Sequence, residues 1–276
     1  MGLVENLYDC FYKKALQTKV SHLCVGLRYT AVVTDTDATG IAFTYTGGGG
    51  CCPKPDDYRD YEGESAAELL EAIKSPSPLA RSMALALINA LNHERANGLA
   101  GDSSDISWMD SLGIGAGSKV AMVGLFSPLL KILKARGAQV EVLERNGNHG
   151  EGGDLGFGRI LHGGQEALFY EKLTDWAQTL ILTSTSILNG TTEEVLSHIG
   201  PEVKVIMLGP STPMVSEAFS RLPVRILAGT VAVDAEAVLR AVRHGAGTPV
   251  IHRFSRKVLM NLDTPTAGLS AKLSQS

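Results

Sequence analysis

The stretch Lys204–Glu217, KVIMLGPSTPMVSE, predicts how this chain folds. It begins with a continuous apolar run, Val205 to Leu208, as expected of a parallel strand that is covered on both faces. Gly209-Pro210 ends the strand, and Ser211 or Thr212 is suited to cap a following helix. A strand, a turn and a helix in this order are typical of an α/β sheet.

Two other stretches have the same order of elements. KVAMVGLFSPLLKIL, residues 119–133, runs from a strand into a helix through Gly124, Phe126 and Ser127. LILTSTSILNGTTEEVL, residues 180–196, does so through Asn189-Gly190-Thr191. Because the carboxyl ends of parallel strands meet at one edge of a sheet, all three turns should open at the edge where α/β sheets bind ligands.

The earlier part of the chain follows a different pattern. Apolar spacing predicts a helix near the start, a three-stranded antiparallel meander and further helices, whereas strands and helices alternate from residue 119 onward. The predicted fold class is therefore α/β, with a small α+β domain before a doubly wound parallel sheet. The predicted division is an α+β domain at 1–98, a linker at 99–118, a Rossmann-like domain at 119–263 and a flexible tail at 264–276.

Composition restricts the function classes. The 276 residues carry a net charge of −4, which argues against nucleic acid or an anionic membrane as the partner. No apolar run is long enough for a membrane span, and the N-terminus does not resemble a signal peptide. Four cysteines in a chain of this length do not make a disulfide scaffold. We therefore expect a cytoplasmic protein.

Nucleotide motifs are mostly missing. Gly113-Ile-Gly115-Ala-Gly117 precedes its strand, whereas a dinucleotide fingerprint must follow one, so NAD is not supported. Neither a Walker A lysine motif nor a Gly-x-Ser-x-Gly elbow occurs. Glu144 ends the second strand of the predicted sheet, where many nucleotide folds place a ribose-binding acid. It is either that acid, for a nucleotide-like cofactor, or an ordinary strand-end residue.

A glycine-rich segment, Arg145–Gln165, follows Glu144. Long loops of this kind are often functional, and imidazoles with carboxylates bind hard or borderline metals. The alternative is a mobile lid with solvated side chains. The candidate ligands in this segment are His149, Glu151, Asp154 and His162.

Cysteines offer a second metal hypothesis. Cys51-Cys52 adjoin a glycine run, and His22 and Cys24 lie two residues apart on one predicted strand. Together they could form a thiolate-rich pocket for a heavy metal. Alternatively, Cys24 is a small core residue and Cys51-Cys52 line a tight turn.

Asn89 is the unusual member of the apolar helix predicted at 78–93. A helix that is apolar on nearly all sides lies at the centre of a domain. The Asn89 amide therefore either bonds to a neighbouring loop or faces a cleft.

The turn sequences together resemble the bacterial and archaeal Putative heavy-metal chelation family. The similar motifs are Thr183–Thr191, Val205–Pro213 and Gly229–Asp234, with Gly26–Val33, Gly40-Ile-Ala and Ile88-Asn89-Ala90 in the first half. The resemblance implies two domains, a first one similar to the N-terminal domain of enolase and a Rossmann-like second one, with a site between them.

We therefore expect a protein that binds a small molecule or a metal in an interdomain cleft, with a heavy or transition metal as its cofactor. The ligand should lie where the Asn189-Gly190-Thr191 and Gly209-Pro210-Ser211-Thr212 turns face each other. If both turns begin helices, their positive ends favour an anionic group. The alternative is an enzyme that acts on a polar or anionic metabolite with a nucleotide-like cofactor. A non-catalytic assembly subunit and a homo-oligomer are left open.

Overall fold

The computed structural model describes residues 2–47, 59–101, 106–145 and 155–262. Helices and strands follow each other in an order that first builds a small sheet and then a large one. The elements are α1 (Leu3–Ala15), β1 (Val20–Val25), β2 (Tyr29–Thr34), β3 (Thr39–Phe43), α2 (Ala66–Leu70), α3 (Pro78–Leu91), α4 (His93–Asn97), α5 (Ser107–Ser111), β4 (Lys119–Val123), α6 (Ser127–Ala135), β5 (Gln139–Glu144), β6 (Gly158–His162), α7 (Glu166–Asp175), β7 (Thr179–Thr183), α8 (Thr185–Asn189), α9 (Thr192–Ser197), β8 (Lys204–Leu208), β9 (Val224–Ala232), α10 (Ala235–Arg243), α11 (Thr248–Ile251) and β10 (Ser255–Asn261), with 3₁₀ turns at Glu71–Lys74 and Ser216–Phe219.

The small sheet is the antiparallel meander that the sequence predicts, in the order β1-β2-β3. Helix α3 packs on one face of it, and α10, which comes from the far end of the chain, packs on the other. Every residue of β2 is consequently buried. The core of the small sheet therefore depends on α10, which lies in the chain between β9 and β10 of the large sheet.

The large sheet has seven strands in the order β10-β9-β8-β7-β4-β5-β6. Its neighbouring strands are parallel except at the β9–β10 pair. The α/β fold class with a small antiparallel sheet and a mostly parallel second sheet is thus confirmed. Strands β6 and β10 were not predicted: β6 lies inside the glycine-rich segment, whose composition indicates a loop.

Both faces of the large sheet are covered. One face shares a continuous core with the first half of the chain, in which Leu7 of α1 and Leu85 of α3 join Leu180 and Met207 of the sheet. The other face packs against α5 and α6 through Trp108, Leu129 and Leu133. None of the described helices combines the length and the apolarity that a membrane span requires.

The helix expected after β8, with Ser211 or Thr212 as its cap, is not formed. Residues after Leu208 instead make a loop that ends in the 3₁₀ turn Ser216–Phe219. The first half of the chain binds this loop: the Ser211 hydroxyl accepts a hydrogen bond from the Phe43 N–H at 2.7 Å, and the Asn92 amide donates to the Met214 carbonyl at 2.7 Å. These contacts replace the intrahelical bonds, so the predicted helix was wrong.

The segment predicted as a linker contains structure of its own. Helix α5 lies within it and buries Trp108 and Met109 in the core of the large sheet. At its start, the Ala100 carbonyl accepts a hydrogen bond from the Leu259 N–H at 3.2 Å. The division into domains at these residues stays a prediction.

Gly40 sets the distance between α3 and the small sheet. A Cβ at this position would lie 2.1 Å from the Ala90 nitrogen and 2.2 Å from the Ala86 carbonyl oxygen. We expect Gly40→Ala to lower the free energy of unfolding by about 2 kcal/mol or more, because rigid helix backbone cannot move aside. Urea denaturation measures this loss. Gly115→Ala is the control, since a Cβ there meets nothing within 4 Å, and an equal loss in both variants would contradict the prediction.

Candidate functional site

The sheet reverses its direction of growth at β4. From β4 the chain adds β5 and β6 on one side, and then it returns to place β7 and β8 on the other. Loops that leave the carboxyl ends of β4 and β7 therefore diverge, and the crevice between them is where open α/β sheets bind ligands. The predicted turn around Gly124 lies at this crevice.

Glycines allow close packing at the crevice. Gly124 has φ +88°, and a Cβ on it would lie 3.1 Å from the Thr183 Cβ on the neighbouring strand. Gly209, at the end of β8, has φ +131°, and a Cβ there would lie 2.7 Å from the Ser184 Oγ. The side chains of Thr183 and Ser184 thus lie directly against the backbone at Gly124 and Gly209. Only glycine permits such close contact at these φ values.

Helix α6 begins beside Gly124. Phe126 precedes its first residue, Ser127, and gives the helix no side-chain cap. One N–H of this loop is occupied, because the Leu125 N–H donates to Glu144 Oε2 at 2.8 Å. The start of α6 therefore combines a partial positive charge with an adjacent carboxylate.

Four residues form a row across the carboxyl ends of β7, β4, β5 and β6. Strand register aligns Thr183, Gly124, Glu144 and His162, and the residues two positions earlier all belong to the core on the α6 face. Side chains alternate between faces along a strand, so the row lies on the α6 face. The Nε2 atom of His162 is enclosed and has no hydrogen-bond partner within the described part of the chain.

Arg145, next to Glu144, points to the opposite face. Its Nη2 donates to the Tyr170 hydroxyl at 2.7 Å, and that hydroxyl donates to Glu194 Oε1 at 2.9 Å. Burial, and then the hydrogen bond to Glu194, raises the pKa of Tyr170 to about 12. His198 stacks on the Tyr170 ring, with the centroids 4.0 Å apart. The guanidinium of Arg145 is thus bound on the α7 and α9 side of the sheet.

The Asn189-Gly190-Thr191 turn lies one short helix beyond β7, because α8 intervenes. Asn189 Oδ1 accepts hydrogen bonds from the Thr191 N–H at 3.2 Å and from the Thr191 hydroxyl at 2.7 Å. Gly190 ends α8 in the left-handed conformation, with Arg81 Nη1 2.7 Å from where its Cβ would be. These bonds are local turn and cap interactions, and the ligand role of the turn stays a prediction.

The Gly209-Pro210-Ser211-Thr212 turn meets the first half of the chain. Asn89 Nδ2 donates to the Ile41 carbonyl at 2.9 Å and to the Ser211 carbonyl at 3.4 Å, so its amide bonds to strand β3 and to the loop after β8. Thr212 is buried, and its hydroxyl has no hydrogen-bond partner in the described ranges. Because no helix begins at this turn, it adds no positive helix end that would favour an anionic ligand.

Several candidate metal ligands lie outside the described residues, namely Cys51, Cys52, His149, Glu151 and Asp154. Cys24 is partly buried; burial raises the pKa of its thiol, and Arg243 offsets this only in part. In the ranges that the structure describes, no three or more histidine, cysteine, aspartate or glutamate side chains are grouped to hold a metal ion.

A cavity of about 880 Å³ lies along β5 and β6. Phe157 and Trp176 line it, and its charged residues Arg159 and Glu141 pair with each other at 2.7 Å. Because these two charged groups already pair with each other, the cavity offers a ligand fewer unpaired polar groups than the crevice does.

Sequence reasoning missed Thr183 and underused His162. The row becomes visible only once β6 is known to be a strand, because its register places His162 beside Glu144. The one signal in the sequence was the pattern of a polar residue at the end of a buried strand, which Thr183 also shows.

Two family profiles described as Putative heavy-metal chelation match residues 8–92 and 107–261. A structure from Pyrococcus horikoshii, of a protein with unknown function, aligns with 21% identity over 94% of this chain and 99% of its own, with a TM-score of 0.73. One from Desulfitobacterium hafniense, also of unknown function, aligns with 19% identity over 92% and 97%, with a TM-score of 0.72. At these identities the likeness concerns the fold. None of the curated proteins matches.

Ser211→Ala tests the contact between the two halves. It leaves the Phe43 N–H without its acceptor, so we expect a loss of about 1–3 kcal/mol in the free energy of unfolding. Chemical denaturation measures this, and exposed Ser220→Ala serves as the control. Equal stability of the two variants would show that the hydrogen bond contributes nothing.

Proposed function

Because the chain belongs to the Putative heavy-metal chelation family, we propose that it binds a small metal-chelating metabolite, together with its metal, in the crevice at the carboxyl ends of β4 and β7. The observation that carries this proposal is the pair of close approaches at the crevice, Gly124 against Thr183 and Gly209 against Ser184. Loops held at positive φ over neighbouring strands expose their backbone to a ligand at the switch point.

The charges around the crevice support a ligand that carries both signs. The uncapped start of α6 favours an anionic group, whereas Glu144, held at the Leu125 N–H, favours a cation or a hydroxyl. A free anion would meet the carboxylate of Glu144 as a like charge. A metal chelate presents carboxylates and a cation together, so it matches both features.

Glu144 also favours a second candidate, an enzyme with a nucleotide-like cofactor. It ends the second strand of the Rossmann-like sheet beside the Gly124 loop, where a carboxylate can bind ribose hydroxyls. The two candidates differ in what co-purifies with the protein: a chelate brings a metal, and a nucleoside brings purine absorption.

Gly124→Ala tests the crevice. Its Cβ would enter the space beside Thr183, so we expect the gently purified variant to lose the bound small molecule that the wild-type protein carries. Native mass spectrometry with elemental analysis measures the bound mass and the metal content.

The matched control is Gly113→Ala. Gly113 has φ +74°, so alanine costs a similar roughly 1–2 kcal/mol of backbone strain, but its Cβ meets nothing within 4 Å. This control should retain the ligand. A wild-type protein without a bound molecule, or equal occupancy in folded Gly124→Ala, would contradict the proposal.

A further inference from the structure

We infer that Glu144 and His162 bind a divalent transition-metal ion on the row at the carboxyl ends of β5 and β6. The inference deepens the proposed function, because it names the residues that would contact the metal of a bound chelate. It rests on the geometry of two adjacent strands and on one unsatisfied nitrogen.

Strand register places the two residues side by side. Glu144 pairs with His162 as the last match of the β5–β6 ladder. Val142 and Ile160, two residues earlier on each strand, both belong to the core on the α6 face. Because side chains alternate along a strand and neighbouring strands lie about 4.8 Å apart, both side chains leave the sheet on the same face as neighbours.

His162 Nε2 lacks a partner where one is expected. The atom is enclosed, yet no hydrogen-bond partner exists for it among the described residues. Leaving a buried polar atom unsatisfied is unfavourable, so nearly all such atoms in folded proteins are paired. Its backbone is fixed, since the His162 N–H donates to Gln165 Oε1 at 2.9 Å. A metal ion at Nε2 would satisfy the nitrogen.

Glu144 is oriented by a hydrogen bond of the kind that supports metal ligands. Its Oε2 accepts the Leu125 N–H at 2.8 Å, which fixes the carboxylate at the end of β5. Hydrogen bonds to ligating carboxylates and imidazoles set their direction and strengthen metal binding. The guanidinium of the next residue, Arg145, is bonded to Tyr170 on the opposite face of the sheet.

The ligand types indicate the class of metal. One imidazole and one carboxylate suit borderline divalent ions such as zinc, cobalt or nickel. Two protein ligands leave most coordination positions of such an ion to other donors. This agrees with the lack of any group of three metal-ligating residues within the described ranges, and it points to an ion that arrives with its chelator.

The test uses the cobalt(II) complex of nitrilotriacetate as its probe, because this chelator leaves two neighbouring positions of an octahedral ion open. Calorimetric titration of the wild-type protein should show one bound complex per chain. His162→Gln and Glu144→Gln should each weaken binding at least about tenfold, and His162→Gln should also change the visible spectrum of the bound cobalt. The Glu144→Gln variant still accepts the Leu125 N–H through its amide oxygen, so its fold should be intact.

His22→Gln is the matched control. His22 also lies near a glutamate, with its Nδ1 4.0 Å from Glu62 Oε1, but this pair lies on the surface. Its variant should bind the probe as the wild type does. Equal affinity of wild type and folded His162→Gln, or no binding by the wild type, would overturn the inference.

The two proposals fail in different experiments. If no metabolite co-purifies with the protein but probe binding depends on His162, the Glu144–His162 metal site is supported and the proposed function is contradicted. If Gly124→Ala removes a co-purified metabolite but His162→Gln leaves the probe affinity unchanged, ligand binding at the crevice is supported and the Glu144–His162 metal site is contradicted.

Discussion

The register of four parallel strands is the constraint on which the candidate site depends. β7, β4, β5 and β6 pair without a shift, so the row Thr183, Gly124, Glu144 and His162 lies level at one edge of the sheet. A one-residue slip of any of these strands would turn its terminal side chain to the opposite face. Glu144 and His162 are therefore neighbours only because the apolar residues before them, Val142 and Ile160, are held in the α6-side core.

The same edge also shows how the two halves of the chain depend on each other. An α/β unit normally has a helix after its strand, but the residues after β8 form a loop. This loop makes hydrogen bonds to Phe43 and Asn92 of the first half of the chain. In return, α10 of the second half covers the outer face of the small sheet. Each half therefore completes part of the core of the other.

Local pattern predicted most of the fold, and long-range contact decided the rest. The apolar runs of β4, β7 and β8 were sufficient to predict a parallel sheet, because short continuous apolar runs are typical of strands that are covered on both faces. The helix at Ser211 followed sound capping rules, but a hydrogen bond to Phe43, distant in sequence, overrode them. Similarly, Gly124 and Glu144 could be predicted as strand-end residues. The position of His162 could not, because it depends on the register of β6, a strand within the glycine-rich segment.

The electrostatics of the edge follow from where its charges are bound. A predicted second helix at the Gly209 turn would have made the edge more attractive to anions, but no helix begins at that turn, and α6 is the helix that starts beside Glu144. Arg145 could have restored that preference, yet Tyr170 holds it on the opposite face. Glu144 is consequently the carboxylate of the row, next to a helix start of opposite sign. A ligand that fits both must separate its own charges over a short distance, which a metal ion wrapped by carboxylates does and a simple phosphate does not.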